Sequence, residues 1–425
     1  MRLLTRHPLA AGVTLAIVAA WAAPVPALTD PLGGALPAAW QLHRSLGYAI
    51  IAPLATLWDQ IAMLPISRLT GLLTGLGVLY LAWRIQVRRT QRVRWTRAVL
   101  RECWVLVMAV AGFVTFVLLG LVWHDRPVAR LAGLAADELT LEMHSHTNAS
   151  HDVRGFLVEG FDAVASREWH ERAGVDLLFI TDHNTTRGWR RFRGDLPQGR
   201  TQICPGIELS AHGAHVVVLG EPLPESQQPY RGSPAHRARL FAEIAALPGA
   251  VAIASLPEYR GQAEQFIAEG VRGFEITSAS PKGNDLPRIE RDSIIALARR
   301  HDLLLVGAGD QHGYGATPMV WNVMHLPGWR TGQGPPCAGV VSQFRSGGPE
   351  TVRIVERTRL RTDSALPWIL TPLGVLWMAW ATTSVPVALG WLVWVWAAAL
   401  AGSWYRTQQR RRHEAAVAAL TSRRR

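Results

Sequence analysis

The sequence predicts an α/β protein: a seven-stranded (β/α)7 barrel of the TIM type, flanked by transmembrane helices. Three observations predict it. Between residues 124 and 365, short apolar runs alternate with amphipathic helical stretches. On both sides of that region the chain is mostly apolar. Histidines and carboxylates recur where the apolar runs end, as functional side chains do at the rim of a parallel barrel.

Composition supports the flanks. Hydrophobic residues make up 49% of the 425 and charged residues 18%, with 18 tryptophans, a balance that fits bilayer segments better than a wholly soluble enzyme. The net charge of +12 is carried almost entirely by arginine, Lys282 being the one lysine. It is concentrated at 84–101 and in a basic tail at 406–425. Both clusters abut apolar stretches and no aromatic-interleaved basic groove appears, so contact with a lipid bilayer explains them better than nucleic-acid binding. Cys103, Cys204 and Cys337 are too few and too scattered to imply a disulfide framework or a cysteine zinc site.

Residues 1–123 read as a membrane region. The stretch 9–28 follows a basic start and reads as either a signal peptide or an uncleaved anchor. Spans are expected near 46–64, 69–83 and 103–123, the first being the weakest because Asp59 is costly at mid-bilayer. Residues 366–405 read as a transmembrane hairpin broken near 382–386, ahead of the basic tail. The multi-pass orientation stays open. Placing 84–101 inside sends the central domain outside, and the tail with it, whereas Arg353, Arg357, Arg359 and Arg361 favour keeping the domain inside.

In the central region, 124–365, strands are expected near 139–145, 175–181, 202–209, 215–219, 250–255, 273–277 and 303–307. Helices are expected at 155–173, 234–247, 261–270 and 289–301. The strands are apolar almost throughout, as in a parallel sheet covered on both faces.

Metal-ligating residue types then fall at successive strand ends. His144 and His146 end the first strand, two residues apart and so on one face. Asp182-His183 ends the second strand, Glu208 the third, His215 opens the fourth, and Asp310 and His312 follow the seventh. Each residue alone has an ordinary explanation as a cap, a loop acid or a surface histidine. Together they do not, because imidazoles and carboxylates clustered in a cleft are expensive without a cation.

This ordered pattern resembles the PHP (polymerase and histidinol phosphatase) superfamily. The resemblance rests on HSHTNASHD at 144–152, LLFITDHN at 177–184, PGIELS at 205–210 followed by His215, and GAGDQH at 307–312. It covers residues 139–345 and implies a distorted seven-stranded barrel holding two or three Mn, Zn or Fe ions. By position it implies that His144, His146, Glu208 and Asp310 surround one metal, that Glu208 bridges to a second held with His215, and that His183, His312 and either His151 or the adjacent Asp152 hold a third. One departure stands out: the family tends to have a His-Pro pair after the fifth strand, where this chain has Ser255-Leu256-Pro257. Leu256 cannot bind a metal, leaving Glu258, His212 or water to complete that site.

The expected chemistry is metal-dependent hydrolysis of a small phosphorylated or ester substrate, with a metal-bound hydroxide as nucleophile and phosphoesters first in line. Asp182, His183 and Asp310 are the expected catalytic residues, Asp182 orienting His183 or a water. Arg187, Arg190, Arg191 and Arg193, or Arg260, are candidates to bind a substrate anion. Two alternatives remain: a carboxyl- or carbamoyl-ester hydrolase on the same barrel, and a non-catalytic metal-binding membrane sensor.

Overall fold

The computed structural model describes residues 6–89, 95–153, 160–190, 200–255, 261–280, 283–330 and 336–422. The chain begins with α1 (Pro8–Ala22), the short strands β1 (Leu28–Thr29) and β2 (Gln41–His43), and two short helices, α2 (Leu46–Ile50) and α3 (Ala52–Ala62). A long helical hairpin follows, α4 (Ile66–Arg89) and α5 (Trp95–Val122). The stretch 46–64 is therefore two short helices rather than one continuous helix. Pro53, in the first turn of α3, suits a fresh helix start because it has no N–H to give. Asp59 is fully buried against the following domain, where Arg126 (3.3 Å), Arg357 (2.9 Å), the Tyr48 hydroxyl (2.8 Å) and the Thr317 hydroxyl (3.0 Å) surround its carboxylate. Across the hairpin, Arg84 and Tyr80 of α4 both bond Glu102 of α5.

The central region holds β3 (Arg130–Ala132), β4 (Glu138–Glu142), α6 (Ala163–Arg172), β5 (Leu177–Ile180), α7 (Arg187–Arg190), β6 (Gln202–Ala211), β7 (Ala214–Gly220), α8 (Pro234–Ala246), β8 (Ala250–Ala254), α9 (Ala263–Ala268), β9 (Gly273–Ser278), α10 (Arg288–Arg300), β10 (Leu304–Ala308), β11 (Val320–His325), α11 (Cys337–Ser346) and β12 (Arg353–Arg357). The chain ends in α12 (Thr371–Ala381) and α13 (Val385–Ser422). Local chemistry sets the helix starts. The Asp162 carboxylate caps α6 by accepting from the Val164 and Ala165 N–H groups, and Ser233 caps α8 just ahead of Pro234. β5, β8, β9 and β10 are buried at every position, so helices cover the outer face of the sheet.

The α/β class holds, but the closed seven-stranded barrel does not. Ten strands form one open, curled, mixed sheet in the order β1-β12-β11-β4-β5-β6-β7-β8-β9-β10. β4, β5 and β6 run parallel, as do β8, β9 and β10, while β7 is antiparallel to both its neighbours. The edge of β4 that a barrel would use for closure is taken by β11, which pairs with it antiparallel and carries β12 and β1 outward. An isolated parallel bridge between Ser145 and Gln311 and several side chains, Glu142 on Gly309 N and Thr277 on Glu356 among them, span the seam that remains. Asn322 of β11 accepts from Gly307 N (2.8 Å) and donates to Gly307 O (2.7 Å) on β10, substituting for a backbone ladder.

Cys204 of β6 and Cys337 of α11 form a disulfide across 133 residues. Among the described residues, three helices are long and apolar enough to cross a membrane, Ile66–Val87, Val99–Val122 and Val385–Ala416, and two shorter helices, Pro8–Ala22 and Trp368–Ala381, are apolar as well.

Candidate metal centre

The curled sheet brings the ends of β4, β5, β6 and β10 to one rim, and the reversed β7 explains how a strand's first residues join them. Because β7 runs antiparallel to β6, its beginning lies beside the end of β6, and His215 comes within 3.1 Å of Glu208. Three groups of side chains converge there, the ligand atoms within each group lying within 4.8 Å of one another: His144, His146 and Asp310; His183, Glu208 and His215; and His146, Asp152, His183 and His312. Eight residues thus form one continuous cluster, and all of them but His144 and His146 line a cavity of about 620 Å3.

The distances are short throughout. Glu208 Oε2 lies 3.0 Å from His144 Nε2, 3.1 Å from His183 Nδ1 and 3.3 Å from His146 Nε2. Asp310 Oδ1 is 3.3 Å from His146 Nε2 and 3.6 Å from His144 Nε2. The backbone of Asp310 holds φ at 44°, and that of Asn184 at 55°, left-handed conformations uncommon outside glycine and typical of constrained sites. Asp152, rather than His151, reaches the third group, its Oδ2 lying 3.0 Å from His183 and 2.9 Å from His312. His151 is exposed, its ring 5.1 Å from that of His183.

These residues fit a cation. Both ring nitrogens of His146 are buried without a hydrogen-bond partner among the described residues, although two carboxylates lie within 3.3 Å of Nε2. Burial and the neighbouring His312 pull the His146 imidazole down to about 4, into the neutral form that binds metals. Mixed imidazole and carboxylate donors suit Zn, Mn or Fe better than Ca.

Beneath the cluster lie two carboxylates that the reading of the sequence passed over. Glu275 of β9 accepts from His144 Nδ1 at 2.7 Å and from the Ser255 hydroxyl at 2.9 Å. Glu142 of β4 accepts from the backbone N–H groups of His144 and Gly309, both at 2.9 Å, and burial pushes its carboxyl up to about 7. The available signal was an acid inside a buried apolar strand, in GFEITS and LTLEMHS.

Asp182 turns away from the three groups. It accepts from the Thr147 N–H (2.6 Å) and hydroxyl (2.9 Å), fixing the turn after His146, and burial pushes its carboxyl up to about 6. Arg187 and Arg190 are exposed. Arg191, Arg193, Leu256, Glu258 and Arg260 lie outside the described residues. His212 stands in the β6–β7 turn with φ at 31° and belongs to none of the groups.

No family model matches the chain, and no curated protein matches it. Among solved structures it is similar to PsfC from Pseudomonas syringae, at 17% identity over 57% of this chain and 96% of that one, with a TM-score of 0.36. It is also similar to a protein assigned as a metal-dependent phosphoesterase from Bifidobacterium adolescentis, at 17% identity over 41% and 88% of the two chains, with a TM-score of 0.28. A third similar structure is a lesion-specific endonuclease from Pyrococcus furiosus, at 12% identity over 44% and 52%, with a TM-score of 0.32. At this level of likeness the chemistry has to be read from the side chains themselves.

Proposed function

We propose that the chain is a membrane-anchored, metal-dependent hydrolase acting on phosphoesters. The observation that carries this reading is the convergence of eight ligand-type side chains in three overlapping groups. His144, His146 and Asp310 would hold one cation, His183, Glu208 and His215 a second, and Asp152, His183 and His312, with His146, a third. Bound there, divalent cations lower the pKa of water and clamp the oxygens of the group under attack.

The chain's own residues do the positioning. Glu275 fixes the His144 ring through Nδ1, Glu142 ties the backbone of His144 to that of Gly309 ahead of Asp310, and Asp182 holds the turn that follows His146. In the overall reaction the oxygen of water bonds to phosphorus and the P–O bond to the alcohol breaks. The alcohol leaves with one proton of that water, and the phosphate keeps the other.

The membrane placement belongs to the same proposal, with α1, α4, α5 and α13 crossing the bilayer and the central region on the side opposite the basic ends. Arg6 before α1 and Arg406 in α13 line one cavity, so the start of α1 lies beside the basic part of α13. Arg357, Arg359 and Arg361, by contrast, are buried, with Arg357 on Asp59 and Arg359 on Glu356, so they do not act as a free basic loop. The Cys204–Cys337 disulfide fits an oxidising, extracytoplasmic compartment.

The test is to purify the full chain, supply Mn, Zn or Fe, and screen phosphomonoesters, phosphodiesters and carboxyl esters. Phosphoester turnover that disappears in His144→Ala and Asp310→Ala is the expected result. Turnover of carboxyl esters alone, or no turnover by metal-loaded protein, would overturn it.

A further inference from the structure

The cavity above the candidate metal centre is not walled by the sheet domain alone. Ala62 of α3, Ile66 of α4 and Leu121 of α5 line it together with Asp152, His183, Glu208, His215, Asp310 and His312. Ile66 is the first residue of one candidate membrane span and Leu121 the penultimate residue of another. The apolar hairpin therefore ends in the wall of the same cavity that holds the ligand cluster.

The contact is built closely. A Cβ on Gly315 would meet the side chain of Leu121, so the loop after Asp310 and His312 lies directly on the end of α5. Residues just beyond α5 hold the same loop from the other side. His124 stacks on Tyr314 with ring centroids 4.0 Å apart, and Arg126 donates to Ala316 O at 2.7 Å and to the Thr317 hydroxyl at 3.3 Å. Away from the cavity, the hairpin stays apolar and uncovered: Leu69, Leu73 and Leu76 on α4, and Val110 and Val114 on α5, are exposed. A hydrocarbon chain lying along the hairpin would meet apolar side chains from the bilayer up to the cavity wall.

We infer that the substrate is an amphiphilic phosphoester held in the bilayer, whose headgroup enters this cavity while its hydrocarbon chain stays against α4 and α5. This rests on the phosphoesterase reading and on the membrane placement of the hairpin. A small soluble phosphoester would draw nothing from Ile66 and Leu121. A lipid headgroup presented at the membrane surface would reach the ligand cluster without leaving its leaflet. The reaction is the hydrolysis given above, with the lipid as either the alcohol that leaves or the phosphate that remains.

The experiment uses the metal-loaded full chain in phosphatidylcholine nanodiscs carrying phosphatidic acid or phosphatidylglycerol at varied mole fraction. Glycerol phosphate and glycerophosphoglycerol serve as the water-soluble counterparts. The expected result is a kcat/KM at least about tenfold higher for the disc-held ester, with a rate that follows its mole fraction in the disc at constant bulk concentration. Soluble counterparts turned over as fast or faster would overturn the inference and leave the phosphoesterase reading standing. Carboxyl esters cleaved with no phosphoester cleaved would overturn both. Leu121→Gln, or Ile66→Gln if that variant fails to retain metal, should narrow the preference for the disc-held ester by roughly threefold or more. An unchanged preference would overturn the assignment of the chain to this wall.

Discussion

Replacing Glu275 by glutamine removes one negative charge beneath the metal centre and almost no volume. Glu275 Oε1 lies 2.7 Å from His144 Nδ1, both groups are buried, and the other carboxylate oxygen accepts from Ser255 at 2.9 Å. As a carboxylate it holds the proton on Nδ1, which leaves the Nε2 lone pair directed at the cluster, where Glu208 is 3.0 Å away. An amide can still accept from Nδ1 through its oxygen, but its NH2 then meets a Ser255 hydroxyl that must reverse its role, and the charge assistance is gone. Removing such a partner typically lowers metal affinity about 10- to 100-fold, roughly 1.4–2.7 kcal/mol, the range of one hydrogen bond to a charged group. Equilibrium dialysis with Zn or Mn on the full chain, read by mass spectrometry of the metal, measures it. Glu275→Gln should raise the dissociation constant by that factor, and Glu275→Ala by more. An affinity within about twofold of wild type would refute the argument that His144 needs this carboxylate to bind.

Three further predictions follow the same geometry. Asp152→Asn should lower the metal content per chain whereas His151→Ala should not, because only Asp152 reaches His183 and His312; the reverse ranking would reassign the ligand. Glu356 is pushed up by burial but held down at about 2 by Arg359, Arg291 and Arg361. Its folded value lies below the ordinary 4.5, so its contribution to stability is present above that pH and fades as the pH falls toward 2. Melting temperatures of wild type should therefore fall across that acid window more steeply than those of Glu356→Gln, and parallel curves would contradict this. Reduction of the Cys204–Cys337 disulfide, or Cys204→Ser, should destabilise the domain by about 2–5 kcal/mol, since the bond closes a long loop in the unfolded chain. A melting temperature unmoved by reductant would refute that contribution.

Most of the ligand cluster was legible because it sits in backbone positions that short-range rules identify. H-x-H at the end of an apolar run puts two imidazoles on one face whatever the rest of the sheet does. His183, Asp310 and His312 likewise follow apolar runs that the structure keeps as strands, and Glu208 lies inside one, β6, which runs on to Ala211. The outer strands that keep the sheet open, β11, β12 and β1, were not legible. Residues 353–357 (RIVER) carry three charges in five residues and resemble an exposed segment, yet Glu356 is buried against Arg291 and Arg359, and Arg357 against Asp59. Charge pairing of this kind depends on partners up to 298 residues apart, so no local window contains it. The same pairing gives the Asp59 carboxylate two buried arginine partners and takes Arg357 out of the count of free basic residues, so neither charge can be used as a local window would use it. The disulfide was hidden for a similar reason, two cysteines 133 residues apart having no spacing to read.

The central claim is that the three side-chain groups hold divalent metal, and metal analysis of the purified full chain tests it most directly. After supply of Mn, Zn and Fe and removal of loosely bound ions, the account predicts two or three equivalents per chain, in keeping with the three groups, with at least one lost in His146→Ala. A chain that stays folded yet retains no metal would contradict it.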